Sequence, residues 1–133
     1  MNARSGDAIL VVDDERSLAD TMAEILERAG YRIYTAYGAA EALERLQELR
    51  PALLITDVMM PGMDGVELAR KASRLCPGIR IFLISGHAGA AEIAGSVHEP
   101  RLDLLPKPIP PEELLLRVGS VLGAPRTLRP KTL

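Results

Sequence analysis

The stretch Leu53-Leu54-Ile55-Thr56-Asp57-Val58-Met59-Met60-Pro61-Gly62-Met63-Asp64-Gly65 decides the fold. An apolar run ends at one carboxylate, and a proline, two glycines and a new helical pattern follow. A short continuous apolar run bounded by turn residues reads as a strand buried on both faces. Asp57 then sits at the carboxyl end of a core strand, where open α/β sheets present their ligand sites. A carboxylate drawn partly out of water there needs a partner or a metal. Taken alone, a strand-end aspartate that caps its turn reads equally well. The ends of the other strands decide.

Upstream, Ala8-Ile9-Leu10-Val11-Val12 reads as the first strand, ending in the acids Asp13-Asp14 and then Glu15. Leu18, Met22, Ile25 and Ala29 repeat at helical spacing, with Leu26 widening the stripe, and Gly30 closes that helix. Tyr31 to Thr35 is a second, less apolar strand, suited to a sheet edge. Ala39, Leu43, Leu46 and Arg50 mark the next helix, which Pro51 stops. Ala52 to Thr56 is the third strand.

Downstream, Asp64 is placed to cap a helix with the stripe Leu68, Ala72 and Leu75. Pro77-Gly78 is a turn. Ile79 to Ile84 reads as a strand ending at Ser85-Gly86-His87. Residues 88–98 carry a weak helical pattern interrupted by Gly89 and Gly95, and a short, mobile segment is expected there. Leu102 to Leu105 is the fifth strand, ending at Pro106-Lys107-Pro108. A last helix starts at Pro110-Pro111-Glu112-Glu113, with the stripe Leu114, Val118 and Val121, and Gly123 closes it.

Five strands thus alternate with five helices, which implies one α/β domain with a parallel sheet, helices on both faces and right-handed crossovers. Five (βα) units suit a doubly wound sheet of flavodoxin-like strand order 2-1-3-4-5. The expected boundaries are a flexible N-terminus at 1–7, a folded domain at 8–122 and a flexible, proline-containing basic tail at 123–133. With 133 residues the chain is large enough for one core. A net charge of −2 leaves no electrostatic footprint for nucleic acid or an anionic membrane. No apolar run is long enough to span a bilayer, and the first residues show no signal-peptide pattern. The single cysteine, Cys76, fits a reducing compartment and reads as a small packed hydrophobe. A cytoplasmic location is therefore expected.

In that strand order Asp13, Asp14 and Asp57 converge, with Ser85 and Lys107 on the far side of Asp57. Three carboxylates in one crevice stay ionised together when a cation sits among them. Their oxygens suit a hard ion such as Mg²⁺. Asp57 is then a candidate nucleophile toward phosphorus, forming an acyl phosphate. The transferring oxygens need donors, which Lys107, the Ser85 hydroxyl and the amides of the Val58–Met59 turn are placed to supply. Each feature is common by itself. The joint pattern is specific, because each residue ends a different strand.

The set Val12-Asp13-Asp14-Glu15, Asp57 to Gly65, Ile84-Ser85-Gly86-His87 and Leu105-Pro106-Lys107-Pro108 resembles the receiver domain of two-component response regulators, the CheY-like superfamily. The resemblance covers about residues 8–122. It implies that Asp57 accepts a phosphoryl group from a histidine kinase or a histidine phosphotransfer protein. It implies Mg²⁺ held by Asp14 directly, by Asp13 through water, by Asp57 and by the Met59 backbone carbonyl. It further implies that Ser85 and Lys107 contact the phosphoryl group and that Lys107-Pro108 is a cis peptide. Met59 and His87 fall at positions that influence dephosphorylation in the family, although His87 by itself reads as a solvated loop imidazole.

Two departures stand out. Leu104 occupies the position of the family's usual aromatic switch residue, and Glu99-Pro100-Arg101 replaces its usual Gly-Ala. The signal is therefore expected to run through the segment at 88–98 or through homodimerisation. No helix-turn-helix or basic recognition helix follows residue 122, so a stand-alone receiver, or one belonging to a hybrid histidine kinase or larger regulator, is expected, with no direct nucleic-acid or membrane binding. A phosphatase with an aspartate nucleophile would carry a second aspartate two residues on, where this chain has Met59. A phosphorylation-independent interaction domain would lack the acid pair or the lysine, and both are present.

Overall fold

A computed structural model describes residues 8–86 and 101–124. The segment 88–98, His87 and His98 lie outside the described residues, as do residues 1–7 and 125–133 of the terminal segments expected to be flexible. The strands are β1 (Ala8–Val12), β2 (Arg32–Ala36), β3 (Leu53–Asp57), β4 (Arg80–Ser85) and β5 (Leu102–Pro106). The helices are α1 (Arg16–Arg28), α2 (Ala39–Leu49), α3 (Gly65–Leu75) and α4 (Pro111–Leu122). All pairings are parallel, in the order β2-β1-β3-β4-β5. The expected α/β sheet and strand order are therefore observed.

Period-two alternation along the strands builds two cores. Leu10, Val12, Leu54, Ile81 and Leu83 face one side and pack with Ala42 and Leu46 of α2 and Leu68 and Ala72 of α3. Ile9, Val11, Ile55, Phe82 and Ile84 face the other and pack with Ala19 and Leu26 of α1 and Leu114 and Val118 of α4. β1 and β3 are buried at every position, which is why they carry unbroken apolar runs. The edge strands β2 and β5 are partly exposed, and β5 tolerates Pro106 as its last residue.

The α1 stripe differs from its expected form. Leu18 is 38% exposed; Leu26 is buried as expected, joined by Ala19 and Ala23. Small alanines let the helix lie close to the sheet, so its larger neighbours Met22 and Ile25 pack at the flank, half-buried. Leu75 and Val121 likewise sit at the margins of their faces. Cys76 is buried and its thiol meets the Leu46 carbonyl at 3.5 Å. Burial pushes that thiol's pKa up, and Arg50 pulls it back in part, which marks a packing residue.

The β3–α3 connection is held tightly. The Val58 amide donates to the Ile84 carbonyl at 3.0 Å, and the Gly65 amide donates to the Val58 carbonyl at 2.8 Å. Asp64 caps α3, accepting from the Glu67 amide at 2.9 Å. A β-carbon on Gly65 would overlap the Asp57 carbonyl oxygen and lie 2.9 Å from its carbonyl carbon. No side chain fits between α3 and the end of β3. Gly65→Ala should therefore lower the unfolding free energy by about 1–3 kcal/mol, the usual range for overpacking. Gly38, in extended backbone with open space around it, should tolerate alanine to within about 1 kcal/mol. Urea unfolding followed by circular dichroism compares the two.

Candidate phosphoryl and metal site

The carboxyl ends of β1, β3 and β4, with the β5–α4 loop, form one crevice. Val12 stands beside Thr56, and Asp57 stands beside Ile84, so Asp13 and Asp57 emerge at neighbouring points of the sheet edge. Asp13 and Asp57 are buried, whereas Asp14 is exposed. The three carboxylates each place one oxygen within 4.8 Å of the others. Lys107 reaches in from beyond β5, with Nζ 3.3 Å from Asp57 Oδ1 and 3.9 Å from Asp13 Oδ2. Its stem passes Gly86, and its amide donates to the Ser85 carbonyl at 3.0 Å. Lys107-Pro108 is cis.

Ser85 is buried at the end of β4, one residue beyond the partner of Asp57. Met59 follows Val58 with its side chain 55% exposed, while Met60 turns inward. One expectation is corrected here. The Val58 amide is committed to the Ile84 carbonyl and cannot serve a ligand, because the turn continues the sheet bonding by one residue. The structure therefore brings Asp13, Asp14, Asp57 and Lys107 together, with Ser85 and Met59 on the adjoining strand end and turn.

Asp13 carries most of the electrostatic load. Its Oδ1 accepts from the Glu15 amide at 2.9 Å, but its buried Oδ2 has no hydrogen-bond partner. Burial raises its pKa above the ordinary 3.8. The Glu15 amide opposes that shift, Asp57 and Asp14 add to it, and Lys107 opposes it. One lysine cannot balance three carboxylates. An unsatisfied buried carboxylate oxygen beside two further carboxylate oxygens fits a hard divalent cation, which prefers oxygen ligands.

Comparisons with known proteins agree with this geometry. The family described as the response regulator receiver domain matches residues 9–119. The chain is similar to the response regulator receiver protein CpdR of Brucella abortus, 36% identical over 116 residues, covering 87% of this chain and 97% of that protein. It is 35% identical over 114 residues to the response regulator MprA of Mycobacterium ulcerans, covering 86% of this chain and 49% of that one. The chain thus spans almost all of one relative and about half the length of the other. Among solved structures, it matches a CheY-like receiver domain protein from Methanospirillum hungatei with a TM-score of 0.81 and 32% identity, over 89% of this chain and 94% of that one.

The raised Asp13 pKa has a signed consequence for stability. The fold disfavours the ionised form, so above the folded-state pKa this group lowers stability. That penalty shrinks as pH falls through the folded-state pKa and is gone below the ordinary value of 3.8. In chelator, Asp13→Asn should therefore melt higher than the unsubstituted protein at neutral pH. The difference should close as the pH approaches the ordinary carboxylate range. Thermal melts by circular dichroism across pH check this.

Proposed function

This chain belongs to the family of response regulator receiver domains, and from that premise we propose that Asp57 is its phosphoacceptor and that Asp13, Asp14 and Asp57, with the Met59 carbonyl, hold Mg²⁺. The family has a phosphoacceptor role in two-component signalling and is not generally one of classical enzymes. The observation that carries the reading is the convergence of three carboxylates around Asp57 with Lys107 at 3.3 Å. Among the described residues no helix is long and apolar enough to cross a membrane. A cytoplasmic location is part of the proposal.

In the proposed reaction, an Asp57 carboxylate oxygen attacks phosphorus of a phosphohistidine on a sensor histidine kinase or phosphotransfer protein. The new O–P bond forms as the P–N bond breaks, and the imidazole leaves. When bound, Mg²⁺ neutralises the crowded carboxylates and the incoming phosphoryl oxygens. Asp14 and Asp13 hold negative charge beside the nucleophile for that ion. Lys107 already pairs with Asp57, and its ammonium can follow the charge onto the phosphoryl oxygens as Asp57 becomes an acyl phosphate. In this reading Ser85, at the adjoining strand end, donates to the same oxygens. Water attack on the phosphorus breaks the acyl O–P bond, releases inorganic phosphate and returns the free carboxylate. The output partner and a homodimeric state are further parts of the reading. Leu104 is half-buried beside Leu83 and packs against the α2–α3 core, so the readout lies elsewhere than in an aromatic rotamer at that position.

Intact mass after incubation with acetyl phosphate tests this. The unsubstituted protein should gain one phosphoryl group in Mg²⁺ and none in chelator. Asp57→Asn should gain none. Lys107→Ala should react at least about 100-fold more slowly, the usual loss for one preorganised donor at a developing charge. Phosphorylation of Asp57→Asn at the same rate would sink the assignment.

A further inference from the structure

We infer that Tyr37 is a positioning residue for the divalent-cation site: it clamps the first turn of α1 to α2 and so holds the acid-bearing turn in place. The inference rests on the metal reading above and extends it to a residue outside the crevice. Asp14 is exposed, so its place relative to Asp13 and Asp57 depends on the main chain of the turn that carries it. α1 starts two residues later, at Arg16, and the Glu15 amide before it is held by Asp13 Oδ1 at 2.9 Å, but the helix start has no capping side chain of its own. The N-cap residue Glu15 makes no side-chain capping bond, and the first helical turn holds no acidic residue.

Tyr37 supplies a further attachment from just beyond the end of β2. It follows Ala36, whose carbonyl accepts the Asp13 amide at 3.2 Å. Its ring lies under the Arg16 guanidinium, 4.3 Å from the ring centroid. Its hydroxyl donates to Asp20 Oδ1 at 2.6 Å. Arg16 and Asp20 are four residues apart, so one side chain spans the first turn of the helix on a single face. The Tyr37 amide donates to Glu41 Oε1 at 3.0 Å, which ties the same residue to the first turn of α2. The grip on α1 thus runs through an aromatic ring to two groups, and the grip on α2 through the backbone. Arg16, Asp20 and Glu41 all lie outside the acidic cluster, and the grip on Arg16 and Asp20 holds the chain just after Asp14.

The test is Mg²⁺ titration calorimetry on the unsubstituted protein, Tyr37→Ala, Tyr37→Phe and the neutral surface variant Ser120→Ala. Acetyl-phosphate labelling rates are then measured as a function of Mg²⁺ concentration. Tyr37→Ala should weaken Mg²⁺ binding by about three- to tenfold, below the roughly 10–100-fold typical of groups that touch a metal ligand directly. Its labelling rate at saturating Mg²⁺ should be unchanged. Tyr37→Phe keeps the ring under Arg16 and loses the hydroxyl, so it should fall between. Ser120→Ala should match the unsubstituted protein. In chelator, amide exchange at residues 15–19 should quicken in Tyr37→Ala. Unchanged Mg²⁺ affinity in a folded Tyr37→Ala overturns the inference. Should that variant not fold, unchanged affinity in Tyr37→Phe does so. An unsubstituted protein that binds no Mg²⁺ overturns the metal reading itself, which is a different result.

Discussion

Asp13, Asp14 and Asp57 place carboxylate oxygens within 4.8 Å of one another at the edge of a single sheet, with one lysine to balance them. Left alone, that arrangement opposes folding, because a carboxylate buried beside like charges costs more to ionise. Asp13 shows the cost directly, with a raised pKa and a buried oxygen lacking a hydrogen-bond partner. A site of this kind persists when something else holds the chain in place and when a cation or an incoming charged group makes use of the crowding. The surrounding fold supplies the first. The chemistry proposed for Asp57 supplies the second.

The sheet holds the acids through its two cores. β1 and β3 are neighbours, buried at all five positions each, so neither can slide without moving apolar side chains on both faces. Register then fixes where each carboxylate emerges. The loop after Asp57 is drawn back onto the strand end by the bonds from Val58 to Ile84 and from Gly65 to Val58. The bare α-carbon of Gly65 lets α3 abut the Asp57 carbonyl. Lys107 closes the crevice from the opposite side, its amide bonded to the Ser85 carbonyl. Rigid packing below and a charged cluster above is a common division of labour in doubly wound sheets, whose ligand sites lie beyond the strand ends.

Much of this was legible in the sequence because it depends on local pattern. The apolar runs that end in Asp13-Asp14, Asp57, Ser85 and Lys107 give four of the five strands and the identity of the crevice, and their alternation with helical patterns gives the strand order. Asp64 was legible as a cap because capping is a property of a few adjacent residues. What was not legible depends on tertiary distance. The Leu18 row looked like the buried face of α1, but the alanine row one residue along allows closer approach to the sheet, and sequence spacing cannot rank two adjacent stripes. Gly65 read as an ordinary turn glycine, since its contact with the Asp57 carbonyl exists only after α3 docks. Tyr37 gave no signal, because its partners Arg16 and Asp20 lie on another element. The Val58 amide looked available until the sheet bond to Ile84 appeared. Residues 88–98, where a helix was expected, lie outside the described residues.

The central claim is that the carboxylate cluster is a single divalent-cation site built around the phosphoacceptor. Equilibrium Mg²⁺ binding by calorimetry to the unsubstituted protein, Asp13→Asn, Asp14→Asn and Asp57→Asn tests it most directly. The account predicts one ion per chain and a loss of affinity in each of the three variants, because each removes a negative oxygen from the same cluster. Binding of equal strength in all four proteins would contradict it and place the cation, and the chemistry that depends on it, somewhere else on the molecule.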